Sequence, residues 1–179
     1  MTEDAQNSNF GSMIAASARL GLGYLDRLAG DVSAEHFSRL AVAGDQTVDA
    51  NHPAFILGHL SIYPSRVVKE LGFDASGVEP SAEYLDLFAP GNPCVDDPDG
   101  NRYPGKDELL TKVRTGYEAA IDALQRADDA AFRQPNPNEK MASKFATVGA
   151  MHGFYVGGHF MMHMGQLSTW RRVMGYPAG

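Results

Sequence analysis

The stretch "GGHFMMHMGQL", residues 157–167, carries two histidines four positions apart in a mostly apolar run. Residues at this spacing lie one turn apart on the same face of an α-helix. We therefore predict a C-terminal helix on which His159 and His163 point to the same side. The pair is either half of a metal site or two histidines hydrogen-bonded within a core, and the spacing alone leaves both interpretations open.

Apolar residues recur at helical spacing in three further segments upstream of this one. The long helices are predicted over residues 10–28, 53–71 and 106–127, with the last from Ser143 or Thr147 to Met174. Pro64 lies inside the second segment, where a proline either kinks a helix or ends its first part. Ser33 is a suitable N-cap for a short additional helix over residues 34–40.

The segments between these helices read as loops. Residues 72–105 are rich in Gly, Pro, Asp and Asn, which predicts a long crossover loop with one helical turn around "SAEYLDLF". Residues 1–9 are predicted to be a flexible arm. No segment shows the alternation of a β-strand bounded by hairpin turns. We therefore predict a single all-α domain over residues 1–179, built as a four-helix bundle.

Charge and composition exclude several classes of protein. Hydrophobic residues make up 44% and charged residues 21% of the 179, as in an ordinary globular domain, and the formal net charge is −7. A nucleic-acid-binding protein usually has a basic face, whereas the one close basic cluster here is Arg171 with Arg172. We therefore expect no nucleic-acid partner.

The N-terminus and the single cysteine indicate the environment of the protein. "MTEDAQNSNF" is acidic and polar, unlike a signal peptide, and no apolar run approaches the roughly 18 residues of a transmembrane helix. We expect a cytoplasmic protein without membrane contact. Cys94 is the one cysteine, so an internal disulfide and a thiolate-only zinc site are both excluded. We interpret Cys94 as incidental, with a reactive exposed thiol as the alternative.

A third histidine strengthens the metal interpretation. His59 lies on the apolar stripe of the second long helix, in "AFILGHLSIY", and facing helices of a bundle direct such residues into one core. Three imidazole nitrogens with one open position form the ligand set of a catalytic divalent metal site. Burying three unpaired imidazoles without such a partner would be costly. We therefore predict that His59, His159 and His163 bind one metal ion.

The other polar candidates are weaker. No Asp or Glu follows Met141, so the H-E-x-x-H arrangement of zinc proteases is missing. A carboxylate base would have to come from another helix, where Asp26, Glu118 and Asp122 qualify by position only and are more simply solvated surface groups. Three more histidines are predicted to have other roles: His52 and His152 as caps, surface groups or residues lining a mouth, and His36 as a surface residue.

Several of these segments together resemble a known family. "ILGHL" on the second long helix and "HFMMHMGQLSTWRRVMG" on the last resemble the DinB/YfiT-like superfamily, whose pattern is a histidine on the second helix and H-x-x-x-H-x-G-Q near the C-terminus. "NHPAFILGHL" and "YPGKDELL" are also similar to that family. The resemblance implies an up-down-down-up four-helix bundle with a long crossover. It also implies a divalent metal, often nickel or zinc, on His59, His159 and His163.

The resemblance also implies a range of activities. Members are often dimers; some are thiol S-transferases or isomerases that use mycothiol or bacillithiol, and others are described as metal-dependent hydrolases. We therefore predict a homodimeric, metal-dependent thiol S-transferase that acts on a small molecule, with Gln166 orienting a ligand or the substrate. The alternatives are a metal-dependent hydrolase and a non-catalytic, stress-related metal-binding bundle.

Overall fold

The computed structural model describes residues 9–179, and most of these residues are helical. In chain order the elements are α1 (Phe10–Ala29), a 3₁₀ turn (Ala34–His36), β1 (Val42–Ala43), β2 (Gln46–Thr47), α2 (Pro53–Leu60), α3 (Tyr63–Glu70), α4 (Ala82–Phe88), α5 (Lys106–Arg126), α6 (Asp129–Phe132), α7 (Glu139–Ala142), α8 (Val148–Gly153), a π-helix (Phe154–Gly158) and α9 (His159–Val173).

The first and third predicted long helices are confirmed almost residue for residue as α1 and α5. The predicted flexible arm lies outside the described residues except for Asn9. Its side-chain oxygen accepts a hydrogen bond from the backbone N–H of Ser12 at 2.7 Å, so that Asn9 is the N-cap of α1.

The second predicted helix is divided at the proline. Pro64 has no N–H to donate to the carbonyl of Leu60, and the chain forms α2 and α3 with a short turn between them. His52 caps α2 through Nδ1, which accepts the backbone N–H of Phe55 at 3.1 Å. Of the roles predicted for His52, the cap is therefore confirmed.

Two predictions for the first half of the chain were wrong in detail. The short helix predicted over residues 34–40 is only a 3₁₀ turn, because the backbone N–H of Leu40 donates to the Asp96 carboxylate instead of continuing a helix. β1 and β2 form a two-residue antiparallel ladder where no strand was predicted. Gly44 allows the tight turn between them because its φ of +62° favours glycine.

The last predicted helix contains an unpredicted π-helical segment. Thr147 caps α8, and one π turn over Phe154–Gly158 precedes α9. A π turn takes more residues than an α turn and so rotates the following helix about its axis. As a result His152 faces Glu70 on α3, whereas His159 faces His59 on α2.

Each long helix packs against at least two others. α1 packs against α5 and α9, α5 also packs against α2 and α3, and α2 contacts α9. Their shared core contains Leu25, Ile56, Leu57, Leu124, Phe160 and Leu167. These contacts agree with an all-α class, while the four-helix bundle with its up-down-down-up course stays a prediction. No helix within residues 9–179 has the length and apolar character needed to cross a membrane.

Candidate metal centre

Three histidines from two helices converge in the core. His59 comes from the last turn of α2, and His159 and His163 come from the first turns of α9. The Nε2 atom of His159 lies 3.3 Å from Nε2 of His59 and 3.1 Å from Nε2 of His163. All three ligand atoms lie within 4.8 Å of one another. The structure thus brings the three predicted ligands together.

These separations suit a single metal ion. Two nitrogens at the usual Zn–N distance of 2.0–2.1 Å from a tetrahedral ion lie about 3.3 Å apart. The two measured Nε2–Nε2 distances, 3.3 and 3.1 Å, are close to that value. The donor set of three imidazoles and the spacing of its atoms therefore both fit a divalent ion of the zinc or nickel type.

The hydrogen bonds made by the Nδ1 atoms determine which ring nitrogen is free to bind a metal ion. Nδ1 of His59 lies 2.8 Å from the carbonyl oxygen of Phe88, which can only accept, so Nδ1 carries the proton. Nδ1 of His163 donates to Oε1 of Gln166 at 2.9 Å. In both neutral rings the Nε2 lone pair therefore faces the centre, as metal-binding histidines require. Nδ1 of His159 is buried and has no partner among the described residues.

Burial keeps the imidazoles neutral. The three side chains belong to residues that are only 5–8% exposed. Desolvation, together with the neighbouring histidines, lowers the pKa of His159 to about 3 and that of His163 to about 4. The pKa of His59 is also lowered, mainly by burial. Near neutral pH the imidazoles are therefore neutral, and Nε2 of His59 and of His163 carries no proton that would compete with a metal ion.

Tyr63 is a site residue that the sequence reasoning missed. Its hydroxyl oxygen lies 3.1 Å from Nε2 of His59, and its ring centroid lies 4.5 Å from that of His159. Burial raises the pKa of Tyr63 to about 12, so the phenol is neutral and can donate a proton in a hydrogen bond. Its position four residues after His59 on the same apolar stripe was the available signal.

Gln166 connects the cluster with a surface groove. Besides accepting from His163, its Oε1 accepts from Nδ2 of Asn51 at 3.5 Å. Gln166 also lines a groove of ≈ 560 Å³ between the β-hairpin region and the outer face of α9, together with Met162 and Trp170. A direct contact between Gln166 and a substrate stays a prediction.

The weaker polar candidates lie apart from the cluster. Asp26 pairs with Arg114, Asp122 pairs with Arg126, and Glu118 is exposed, as the surface interpretation predicted. Within residues 9–179 no carboxylate or thiol joins the three histidines.

Two of the remaining candidates need a correction. The roles predicted for His152 were wrong, because His152 is fully buried and its Nε2 lies 2.8 Å from the carboxylate of Glu70. Cys94 is half-buried, its sulfur accepts from the N–H of His52, and burial raises the pKa of the thiol to about 11. A reactive thiol at this position is therefore disfavoured.

Comparisons with known proteins neither identify the chain nor assign it a function. No protein-family model, no curated protein and no solved structure matches it. The resemblance to the DinB/YfiT-like superfamily accordingly remains a prediction from the motifs, and the case for the site depends on its geometry.

A substitution at Gly58 tests whether Phe88 holds His59 in its orientation. A Cβ atom at this position would overlap the ring of the buried Phe88, whose carbonyl orients His59. Alanine normally stabilises a helix by about 1 kcal/mol relative to glycine. Here we expect Gly58→Ala to destabilise the fold by about 1–3 kcal/mol through overpacking. We also expect metal affinity to fall by about tenfold or more as Phe88 shifts.

The matched control for this substitution is Gly153→Ala. An added Cβ at Gly153 has no neighbour within 4 Å, so metal affinity should equal that of wild type and stability should be unchanged or up to about 1 kcal/mol higher. Chemical unfolding and competitive zinc titration with a chromogenic chelator measure the two quantities. Equal metal affinity in Gly58→Ala and Gly153→Ala would show that the Phe88 carbonyl does not control the site.

Proposed function

We propose that the protein is a metal-dependent enzyme of the DinB-like type that transfers small thiols to electrophilic substrates. The observation that carries this proposal is the convergence of three neutral imidazoles in a buried position. Two of these rings are oriented by a hydrogen bond that Nδ1 donates. A three-imidazole set leaves a coordination position open for an exogenous ligand, which is the arrangement of catalytic rather than structural metal sites.

The ligand set favours chemistry that needs a strong positive charge. Three neutral imidazoles would leave the full charge of a divalent ion in place, and that charge would lower the pKa of a bound thiol. His59 and His163 keep their rings in a fixed orientation through Phe88 and Gln166. The surrounding apolar side chains limit access of water, so that electrostatic interactions at the site are strong.

Nickel and zinc are the metals that we propose, since imidazole ligands suit both. The groove beside Gln166 supports a small-molecule substrate, because its ≈ 560 Å³ is in the range of ligand pockets. We further propose a homodimer, in keeping with the family resemblance. We propose neither nucleic acid nor a membrane as a partner, because a formal net charge of −7 disfavours binding to polyanions.

Hydrolysis is the second candidate among enzymes and is less well supported. A hydrolase of the H-E-x-x-H type uses a carboxylate beside the metal as general base. Within the described part of the chain the cluster contains histidines alone, and Asp26 and Asp122 are engaged in surface ion pairs. A non-catalytic metal-binding protein is the third possibility, and turnover measurements separate it from both enzymes.

The proposed function is tested by metal content and turnover on the same samples. Untagged wild-type protein should contain about one nickel or zinc ion per chain by mass spectrometry, as expected for one site of three ligands. It should conjugate 2-mercaptoethanol to a chloronitroaromatic electrophile. His163→Ala should lose both properties, whereas His36→Ala, which changes an exposed histidine, should keep both.

Three outcomes of this experiment have distinct meanings. Equal turnover in His163→Ala and wild type would reject metal-dependent thiol transfer. Bound metal with turnover of esters but not of thiols would favour the hydrolase. Bound metal with no turnover of either substrate would favour the non-catalytic protein.

A further inference from the structure

The Tyr63 hydroxyl has one hydrogen-bond partner within the described residues, and this partner is Nε2 of His59. Nδ1 of His59 already donates to Phe88, so Nε2 is the acceptor and the phenol is the donor. A metal ion on Nε2 would occupy the same lone pair. The hydroxyl would then lose its acceptor while remaining buried, which costs about 1–3 kcal/mol unless another acceptor replaces it.

The position next to the three Nε2 atoms can supply that acceptor. The Tyr63 hydroxyl lies within hydrogen-bond distance of one ligand atom, and its ring contacts the rings of His59 and His159. With an ion bound, a donor so close to the ligand atoms would be available to a molecule that completes the coordination of that ion. A hydrogen bond from a phenol is stronger when the acceptor is charged.

Arg66 adds positive charge on the same side. It follows Tyr63 by three residues on α3, and its guanidinium carbon lies 5.6 Å from the centroid of the Tyr63 ring. No carboxylate in residues 9–179 forms an ion pair with Arg66. An exposed arginine with no ion-pair partner in the part of the chain that the structure describes would attract anions towards this region, although the net charge of the chain is −7.

We propose that Tyr63 and Arg66 form an anion-binding corner at the metal site. The Tyr63 hydroxyl would donate a hydrogen bond to an anion bound at the open position of the ion, and Arg66 would attract that anion. The ligand class is a small anion, for which azide serves as the probe; in a substrate the charged donor atom would be an ionised sulfur or an oxygen. This inference rests on the proposed metal site and goes beyond it, since it assigns a charge to the ligand and a role to two further residues.

The test uses cobalt(II) as a visible probe of the site and azide as the anion. Cobalt-loaded wild type and variants are titrated with azide, and changes in the visible absorption report binding. Tyr63→Phe should retain one cobalt ion per chain but bind azide about tenfold more weakly, which corresponds to a lost charge-assisted hydrogen bond. Arg66→Gln should weaken azide binding at low salt, and this difference should shrink as added chloride-free salt screens the charge.

Tyr155→Phe is the matched control for the tyrosine. The ring of Tyr155 packs against that of Tyr63 at 5.1 Å between centroids, but its hydroxyl accepts from Asn138 rather than facing the histidines. Azide affinity in Tyr155→Phe should equal that of wild type. Parallel titrations with 2-mercaptoethanol and acetate separate sulfur from oxygen ligands, because a thiolate adds an intense near-ultraviolet charge-transfer band.

The outcomes separate this inference from the proposed metal site. Wild-type azide affinity in cobalt-loaded Tyr63→Phe would overturn the hydrogen bond while leaving the metal site intact. Loss of cobalt from Tyr63→Phe would also overturn it, because Tyr63 would then be a ligand of the ion rather than a donor to the anion. Failure of wild type to bind cobalt, nickel or zinc would reject the metal site itself, and the corner with it.

Discussion

Zinc added to metal-free protein is expected to raise its melting temperature by about 10 °C. The ligands come from α2 and α9, and His59 and His159 are 100 positions apart in the sequence, so the complete site exists only in the folded chain. A ligand that binds the folded state alone, at 1,000 times its Kd, stabilises that state by about 4 kcal/mol. For a chain of this size each kcal/mol raises the melting temperature by about 2–4 °C.

Two histidine variants make this thermal shift specific to the cluster. His159→Ala removes the central ligand and should abolish the shift, since two imidazoles bind a divalent ion far more weakly than three. His36→Ala removes an exposed histidine whose Nδ1 contacts Tyr176, and it should keep the shift. A shift of the same size in His159→Ala would mean that zinc acts elsewhere on the chain. The measurement is differential scanning calorimetry with and without the metal.

Arg171→Ala is expected to lower the free energy of unfolding by about 2–3 kcal/mol, through the lost hydrogen bond to a buried carbonyl and the lost packing of the side chain. Arg171 is 1% exposed, although arginine is seldom fully buried. Its guanidinium forms an ion pair with Asp31 and donates to the backbone carbonyls of Leu28 and Pro177. The substitution would leave the buried carbonyl of Leu28 without this donor, and it would release the C-terminal segment at Pro177 from α1.

Arg172→Ala is the matched control, because the next residue carries the same side chain in an exposed position. It should change the free energy of unfolding by no more than about 0.5 kcal/mol. Urea unfolding followed by circular dichroism measures both variants. Similar losses in the two variants would contradict a structural role for the Arg171 network. The burial of Arg171 also means that the one close basic cluster seen in the sequence does not form a surface patch.

Periodicity and proline placement were enough to predict the long helices of the fold. The boundaries of α1 and α5, and the interruption of the second helix at Pro64, follow from local rules that act within a few residues. The i,i+4 spacing of His159 and His163 was sufficient to place both on one face. His59 could be added because its apolar stripe indicated a core-facing position.

The details that define the site as a metal centre depend on contacts between distant segments. The acceptor for His59 is the backbone carbonyl of Phe88, and a carbonyl has no sequence signature because every residue has one. The π turn before His159 turns α9 by an amount that periodicity cannot predict. Tyr63 resembles any other apolar-stripe residue until its hydroxyl is placed beside His59.

The sequence by itself determined which residues could bind a metal and on which helices they lie, because these properties depend on residue type and on a spacing of a few positions. Only the tertiary structure decided that the ligand atoms of all three histidines lie within 4.8 Å of one another, and that Nδ1 of His59 and of His163 carries the proton. The physical reason is that convergence, burial and hydrogen bonding join residues 100 or more positions apart, and the packing of the whole chain sets those distances.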